Sequence, residues 1–299
     1  MAEVLVIGAS CVDVTCIGAD PSVFESGHQY ADSIQIGYGG DALNQAVVLA
    51  NSGVSVRLIT KLGKDEAGKA IYDFCRGNHV EVSDNCFDDK VHTSSTVVLV
   101  DKKGQRNLLG TASGSLRELK YKDIPPVLDD SFKIVSFASL FISHRLSLKY
   151  TERLFRNIKA EGKILVVDTT TPKHDEDLDT LREILPLIDY FIPNETEAEM
   201  ITGERAELAA DLLHMYGVKN VIIKCGEKGC YLRNDAYDGY ISGYSGIECV
   251  DTTGAGDSFA AGLISGLLEG CGDVESCRRA NWYGAQAIKE AGATTWVRK

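Results

Sequence analysis

The chain has 299 residues, 44% of them hydrophobic and 25% charged, with a formal net charge of -12. That length and balance suit a globular chain able to bury a substantial core. They exclude the basic excess or stripe of a nucleic-acid-binding surface, so a polyanionic ligand would need local cations, backbone amides or a metal. No apolar run approaches the roughly 18–20 residues of a membrane span. The opening residues, Met1-Ala2-Glu3-Val4-Leu5-Val6-Ile7-Gly8, lack a basic leader and read as a first strand, not a signal peptide. The 9 cysteines are odd in number and scattered, with no Cys-x-x-Cys pair, and read as reduced thiols of a cytoplasmic protein.

Residues 4–7 are predicted as the first strand. After Gly39 and Gly40, the residues Leu43, Ala46, Val47 and Ala50 recur at helical spacing, and Gly53 gives the stop. A strand follows at 55–60 and a helix at 65–78. Residues 96–100 and 105–109 flank the turn sequence Asp101-Lys102-Lys103-Gly104 and read as a hairpin. From about residue 130 the rhythm is regular. Strands at 133–137, 163–167, 190–192 and 220–224 alternate with helical stretches, which implies parallel pairing and an α/β layer fold. The strands carry little alternation, as when both faces are covered. Tyr231, Tyr240 and Ile247 fall in short strand-like pieces, and helices at 254–269 and 273–291 follow. Two early segments, 11–38 and 86–112, do not fit the α/β rhythm and read as strands of a protruding lid.

The stretch richest in chemistry is Asp251-Thr252-Thr253-Gly254-Ala255-Gly256-Asp257. A strand-like 247–250 precedes it and an apolar helix follows, so Gly254, Ala255 and Gly256 fall at a helix N-terminus. Unpaired amides and the helix dipole favour an anion there. Asp257, in the first turn, is placed to take a proton from an attacking hydroxyl while the amides hold a phosphoryl group. A tight turn with an acid complementing the dipole is the plainer reading of a lone Gly-x-Gly-Asp. The second glycine, Asp251, Thr253 and the strand-to-helix context favour chemistry.

This segment resembles the C-terminal signature of the ribokinase-like (PfkB) carbohydrate kinases, and the resemblance extends over nearly the whole chain. It implies a single kinase domain over 1–299 with a three-layer α/β fold. In that fold a mostly parallel central sheet is flanked by helices and carries a small β-sheet lid. It implies transfer of the γ-phosphoryl group of ATP to a hydroxyl of a small carbohydrate, of the ribose, fructose or sugar-acid class. Asp257 is then the base, and Gly254, Ala255 and Gly256 the anion hole. Asp251 and Thr253 match positions that hold a monovalent cation in many members. The run Thr294-Thr295-Trp296 departs from the commoner pattern and leaves a K+ requirement open.

The segment Gly39-Gly40-Asp41-Ala42-Leu43-Asn44 resembles the family's N-terminal substrate motif. The glycines allow a backbone path close to a ligand, and Asn44 offers both donor and acceptor to hydroxyls. Asp41 reads equally as a helix N-cap and as a substrate neighbour. Asp13 matches the family's substrate-gripping acid. Lys102, Lys103 and Arg106 lie in the expected lid, where Arg106 is a candidate for an anionic substrate group. Asn194 and Glu197 form a capping-box pair and also match a motif that organises Mg2+ through water. By resemblance Lys224, Gly226 and Gly229 lie under the nucleotide, and Asn281 neighbours the adenine. Two other functions stay open. One is a nucleoside kinase, with Tyr38 and Phe141 as candidate stacking partners; the other is a non-catalytic sugar- or nucleotide-binding sensor. A homodimer through the lid strands is expected from the resemblance, since exposed strand edges seek partners.

Overall fold

The computed structural model describes residues 2–102, 105–172 and 176–298, with the backbone but not the side chain of Arg106. Lys103 and His174 lie outside the described residues. In chain order the strands are β1 (Val4–Ile7), β2 (Cys11–Ile17), β3 (Ser33–Gly39), β4 (Val56–Ile59), β5 (Leu62–Gly63), β6 (Glu81–Val82), β7 (Phe87–Asp88) and β8 (Ser95–Val100). They continue as β9 (Arg106–Gly110), β10 (Ile134–Leu140), β11 (Ile164–Thr169), β12 (Tyr190–Phe191), β13 (Asn220–Lys224), β14 (Gly229–Arg233) and β15 (Asp238–Ser242). The helices are α1 (Val23–Ser26), α2 (Asp41–Asn51), α3 (Glu66–Gly77), α4 (Leu148–Ala160) and α5 (Leu178–Leu181). After them come α6 (Glu195–Thr202), α7 (Ala206–Met215), α8 (Ala255–Leu268) and α9 (Asp273–Ala287).

The apolar runs make a sheet covered on both faces. Its order is β15-β14-β13-β12-β11-β10-β1-β4-β6. Pairing is parallel from β6 across to β13 and antiparallel for β14 and β15. Successive side chains point to opposite faces. Val4 and Val6 of β1 join a core with α2, α3, α8 and α9. Leu5 and Ile7 join a second core with α4, α5, α6 and α7. This is the α/β, ribokinase-like layering implied by the sequence.

A second sheet, β3-β2-β8-β9, draws its strands from the two early segments that break the α/β rhythm. β8 and β9 pair as an antiparallel hairpin with Val100 opposite Arg106. A short parallel pair, β5 and β7, stands apart.

Three local expectations change. Residues 247–250 form no strand. The β-branched pattern is there, but the main sheet ends at β15, and the Val250 amide bonds the Ile288 carbonyl at 2.8 Å. That same carbonyl marks where α9 stops, at Ala287 rather than 291. Asp41 is not an N-cap. It is the first residue of α2, and Gly40 holds the cap position with φ 99° and no side-chain cap.

Candidate active site

The carboxyl ends of parallel strands in an open α/β sheet form the usual ligand crevice. Here β1, β10, β11 and β13 end around the N-termini of α2 and α8. At β1, the chain passes through Gly8 into β2, and Asp13 lies over the end of β3. A side-chain carbon on Gly39 would fall 2.0 Å from Asp13 Oδ2, so a larger residue would push the carboxylate out. A carbon on Gly40 would meet the Ala9 carbonyl at 2.7 Å, and its φ of 99° also disfavours any L side chain. The two glycines therefore bring Asp13 and the start of α2 together. Ser139 on β10 braces this turn, since its Oγ accepts from the Ala9 amide at 3.2 Å. Cys11 donates to Asp13 Oδ1 at 3.5 Å.

One turn into α2, Asn44 Nδ2 donates to Asp257 Oδ2 at 2.8 Å. That bond joins two motifs 213 residues apart. Asn44 is buried, and its Oδ1 has no hydrogen-bond partner. Burial pushes the Asp257 carboxyl up to about 6, against the pull of the Asn44 bond, Lys224 and Gln45, with Asp13 adding to the rise. Asp41 is raised well above the carboxylate range, first by burial and then by Asp257 and Asp168. Asp13, Asp41 and Asp257 thus share one acidic pocket.

The other wall of the pocket is built at the start of α8. Gly254 takes φ 74°, and a side-chain carbon there would press on Ala293 at 2.5 Å. Asp251 ties this turn to the same distant segment. Its Oδ1 accepts from Thr253 N at 3.0 Å and Thr253 Oγ1 at 2.7 Å, and its Oδ2 from Gly292 N at 3.0 Å. Trp296 Nε1 adds a bond to Ser258 Oγ at 3.1 Å. The Ala255 amide turns back to Thr252 O at 3.2 Å and the Ser258 amide bonds Gly254 O at 2.8 Å. Gly256 and Asp257 are left as first-turn amides with no carbonyl a turn earlier inside the helix.

Lys224, at the end of β13, reaches this mouth. Its Nζ would be 3.3 Å from a side-chain carbon on Gly256, and it donates to Asp168 Oδ1 at 2.7 Å. Gly226 has φ 58° with open space where a side chain would stand, whereas a carbon on Gly229 would strike the Ile241 carbonyl at 2.2 Å. Packing against β15 therefore accounts for Gly229. Asn281 is buried and donates to the Ile241 and Ser242 carbonyls at 3.0 and 3.2 Å, which docks α9 on β15. Asn194 and Glu197 form the reciprocal capping box of α6 at 2.9 Å each way. Glu197 Oε2 also accepts from Thr169 Oγ1 at 2.7 Å.

The structure thus gathers Asp13, Gly39, Gly40, Asp41 and Asn44 around Asp257, and sets Lys224 beside Gly256. The Arg106 side chain lies outside the described residues. Sequence reasoning passed over Asp168, Thr169, Gln45 and Ser139. The signal for the first two was a polar pair closing the apolar run of β11 at its carboxyl end.

Comparison with known proteins gives the class. The chain matches the description "pfkB family carbohydrate kinase" over residues 1–299, and it belongs to that family. It is an ATP-dependent phosphotransferase acting on a sugar hydroxyl. Among its relatives, ribokinase of Haemophilus influenzae is 28% identical over 88% of this chain and 85% of that protein. The 2-dehydro-3-deoxygluconokinase of Bacillus subtilis is 26% identical over 86% of this chain and 82% of that one. The solved structure of Arabidopsis thaliana ribokinase, complexed with ribose and ATP, superposes with a TM-score of 0.79. Its identity is 25%, over 99% of this chain and 96% of that one.

Proposed function

We propose that the acceptor hydroxyl belongs to a small carbohydrate held by Asp13, Gly40, Asp41 and Asn44, and that Asp257 removes its proton. The observation that carries this reading is the 2.8 Å bond from Asn44 to Asp257, which puts the sugar motif within reach of the base. The unpartnered Asn44 Oδ1 supports a substrate hydroxyl as donor, because a buried acceptor left unpaired is costly. Gly256 and Asp257 amides, with Lys224, meet the charge on the transferred group.

The acids also bear on the substrate. The part of it lying between Asp13, Asp41 and Asp257 carries hydroxyls and no negative charge, since an anionic group there would face the buried Asp257 carboxylate and would press Asp41 further toward its neutral form. Any anionic group of a sugar acid would point away, toward the second sheet. Of the two aromatic candidates for stacking a nucleoside base, Tyr38 and Phe141, Tyr38 packs on Phe74 at 4.9 Å.

Glu197 suits a hydrated Mg2+. Its hydrogen bonds fall on Oε2, leaving Oε1 for a metal-bound water. The cation would neutralise nucleotide phosphate charge. A monovalent cation would lie by Asp251 and Thr253, whose loop is already closed by its own hydrogen bonds. The second sheet acts as the lid. Its exposed Ile34, Ile36 and Leu109, which the strand register puts on one face, support a homodimer through that face. A monodisperse monomer in light scattering at working concentration would refute the dimer. The free thiols of all nine cysteines support a reducing, cytoplasmic setting.

The test is ADP release with Mg-ATP against neutral sugars, sugar acids and nucleosides, with Asp257→Asn as control. Turnover on a neutral sugar that vanishes in the control is expected. Preference for a nucleoside, or turnover that survives in the control, would overturn the reading.

A further inference from the structure

Strand β11 ends in two buried polar residues that none of the motifs includes, Asp168 and Thr169. Thr169 holds Glu197, as described. Asp168 is 3% exposed. Its Oδ1 accepts from Lys224 Nζ at 2.7 Å and from the Thr169 amide at 2.9 Å; its Oδ2 accepts from Gln45 Nε2 at 3.4 Å. The Gln45 amide is oriented by Ser136, whose Oγ donates to Oε1 at 2.7 Å. Gln45 directly follows Asn44. Two consecutive residues of α2 therefore reach the base, Asp257, and the partner of the phosphate-side cation, Asp168.

A buried ion pair is weak grounds for stability, because desolvation consumes most of the Coulomb gain and an apolar pair serves as well. This pair stands at the wall of the anion hole, 3.3 Å from where a Gly256 side chain would begin. Lysine is a point charge on a flexible four-carbon stem that loses its proton readily when buried. Burial alone would lower the Lys224 pKa; Asp168 and Glu197 hold it above the ordinary lysine value. Asp168 thus supplies both things a phosphate-facing ammonium lacks in a dry site, a fixed place and a secured charge.

We propose that Asp168 is a positioning residue for phosphoryl transfer, holding the Lys224 ammonium against the Gly256 end of α8 and linking it through Gln45 to the helix that aligns the base. This rests on the placement of the phosphoryl group given above. Asp168 touches neither sugar nor nucleotide; it acts through Lys224, so the two work as one unit.

A double-mutant cycle tests it, using the full chain with the best sugar from the ADP-release screen. Asp168→Asn and Lys224→Met should each lower kcat on the order of 10²-fold, the scale of a misplaced catalytic contact. KM for the sugar should stay within about threefold, and the double variant should be no slower than the poorer single. If Lys224→Met does not fold, Lys224→Arg replaces the point charge with a fork and completes the cycle. The proposal is overturned by Asp168→Asn turning over within twofold of wild type, or by losses that multiply in the double variant. Asp257→Asn, run in parallel, separates the two readings. Its survival would sink the phosphoryl placement, whereas its loss beside a normal Asp168→Asn would sink this inference alone.

Discussion

The two larger sheets treat their strands differently. β1 and β10 are buried at every residue, whereas β3 leaves Ile34 and Ile36 67% and 71% exposed. The first sheet is clamped by two cores; the second packs on one side only. A segment with few buried contacts opens at low cost. Asp257, Lys224, Asp168 and Glu197, to which the proposed mechanism assigns fixed geometry, all stand on the clamped part. The second sheet contributes Asp13 and Gly39. On the proposed reading, precise chemistry sits on the rigid layer and the adaptable enclosure on the loose one.

Asp257→Asn probes the rigid side most severely. Turnover should fall about 10²- to 10⁴-fold, the usual worth of a general base, while ATP affinity measured by calorimetry holds. Near-normal ADP release would break the assignment. Next comes packing. Phe191→Ala on β12, 0% exposed, should cost about 3–5 kcal/mol in urea unfolding. Ile34→Ser on β3 is at the other end of the scale, within about 0.5 kcal/mol for the monomer. Equal costs would erase the contrast between the sheets.

Acidity should act between those extremes, with opposite signs on rate and on stability. Burial raises Asp257 to about 6, so kcat/KM should fall about tenfold per unit below that pH, where the base is protonated. A carboxyl raised on folding favours the folded state when protonated. That contribution is full below its unfolded value of about 4 and is lost as pH climbs through about 6. Asp257→Asn should therefore melt higher than wild type at pH 8, and by a smaller margin at pH 4. An unchanged margin would mean the carboxyl is not desolvated.

Sequence reading reached the parallel core and the three motifs because each is a short local word: paired glycines, a capping acid, a Gly-Ala-Gly before a helix. Asp168 was not legible, since its meaning comes from Lys224, 56 positions later, and Gln45, 123 earlier. The segment 247–250 was overread. β-propensity is local, but a strand needs a neighbour, and the sheet already ends at β15. Of the two readings of Asp41 the cap one fails, because Gly40, with φ 99° and no room for a side chain beside the Ala9 carbonyl, holds the cap position one residue earlier.

The signature Asp251–Asp257 is finished by a later stretch of chain. The Gly292 amide closes on Asp251, Ala293 walls Gly254, and Trp296 reaches back to Ser258. A ribosome that has released residue 257 but not 296 holds a chain with the whole motif and a turn that still lacks the contacts that close it.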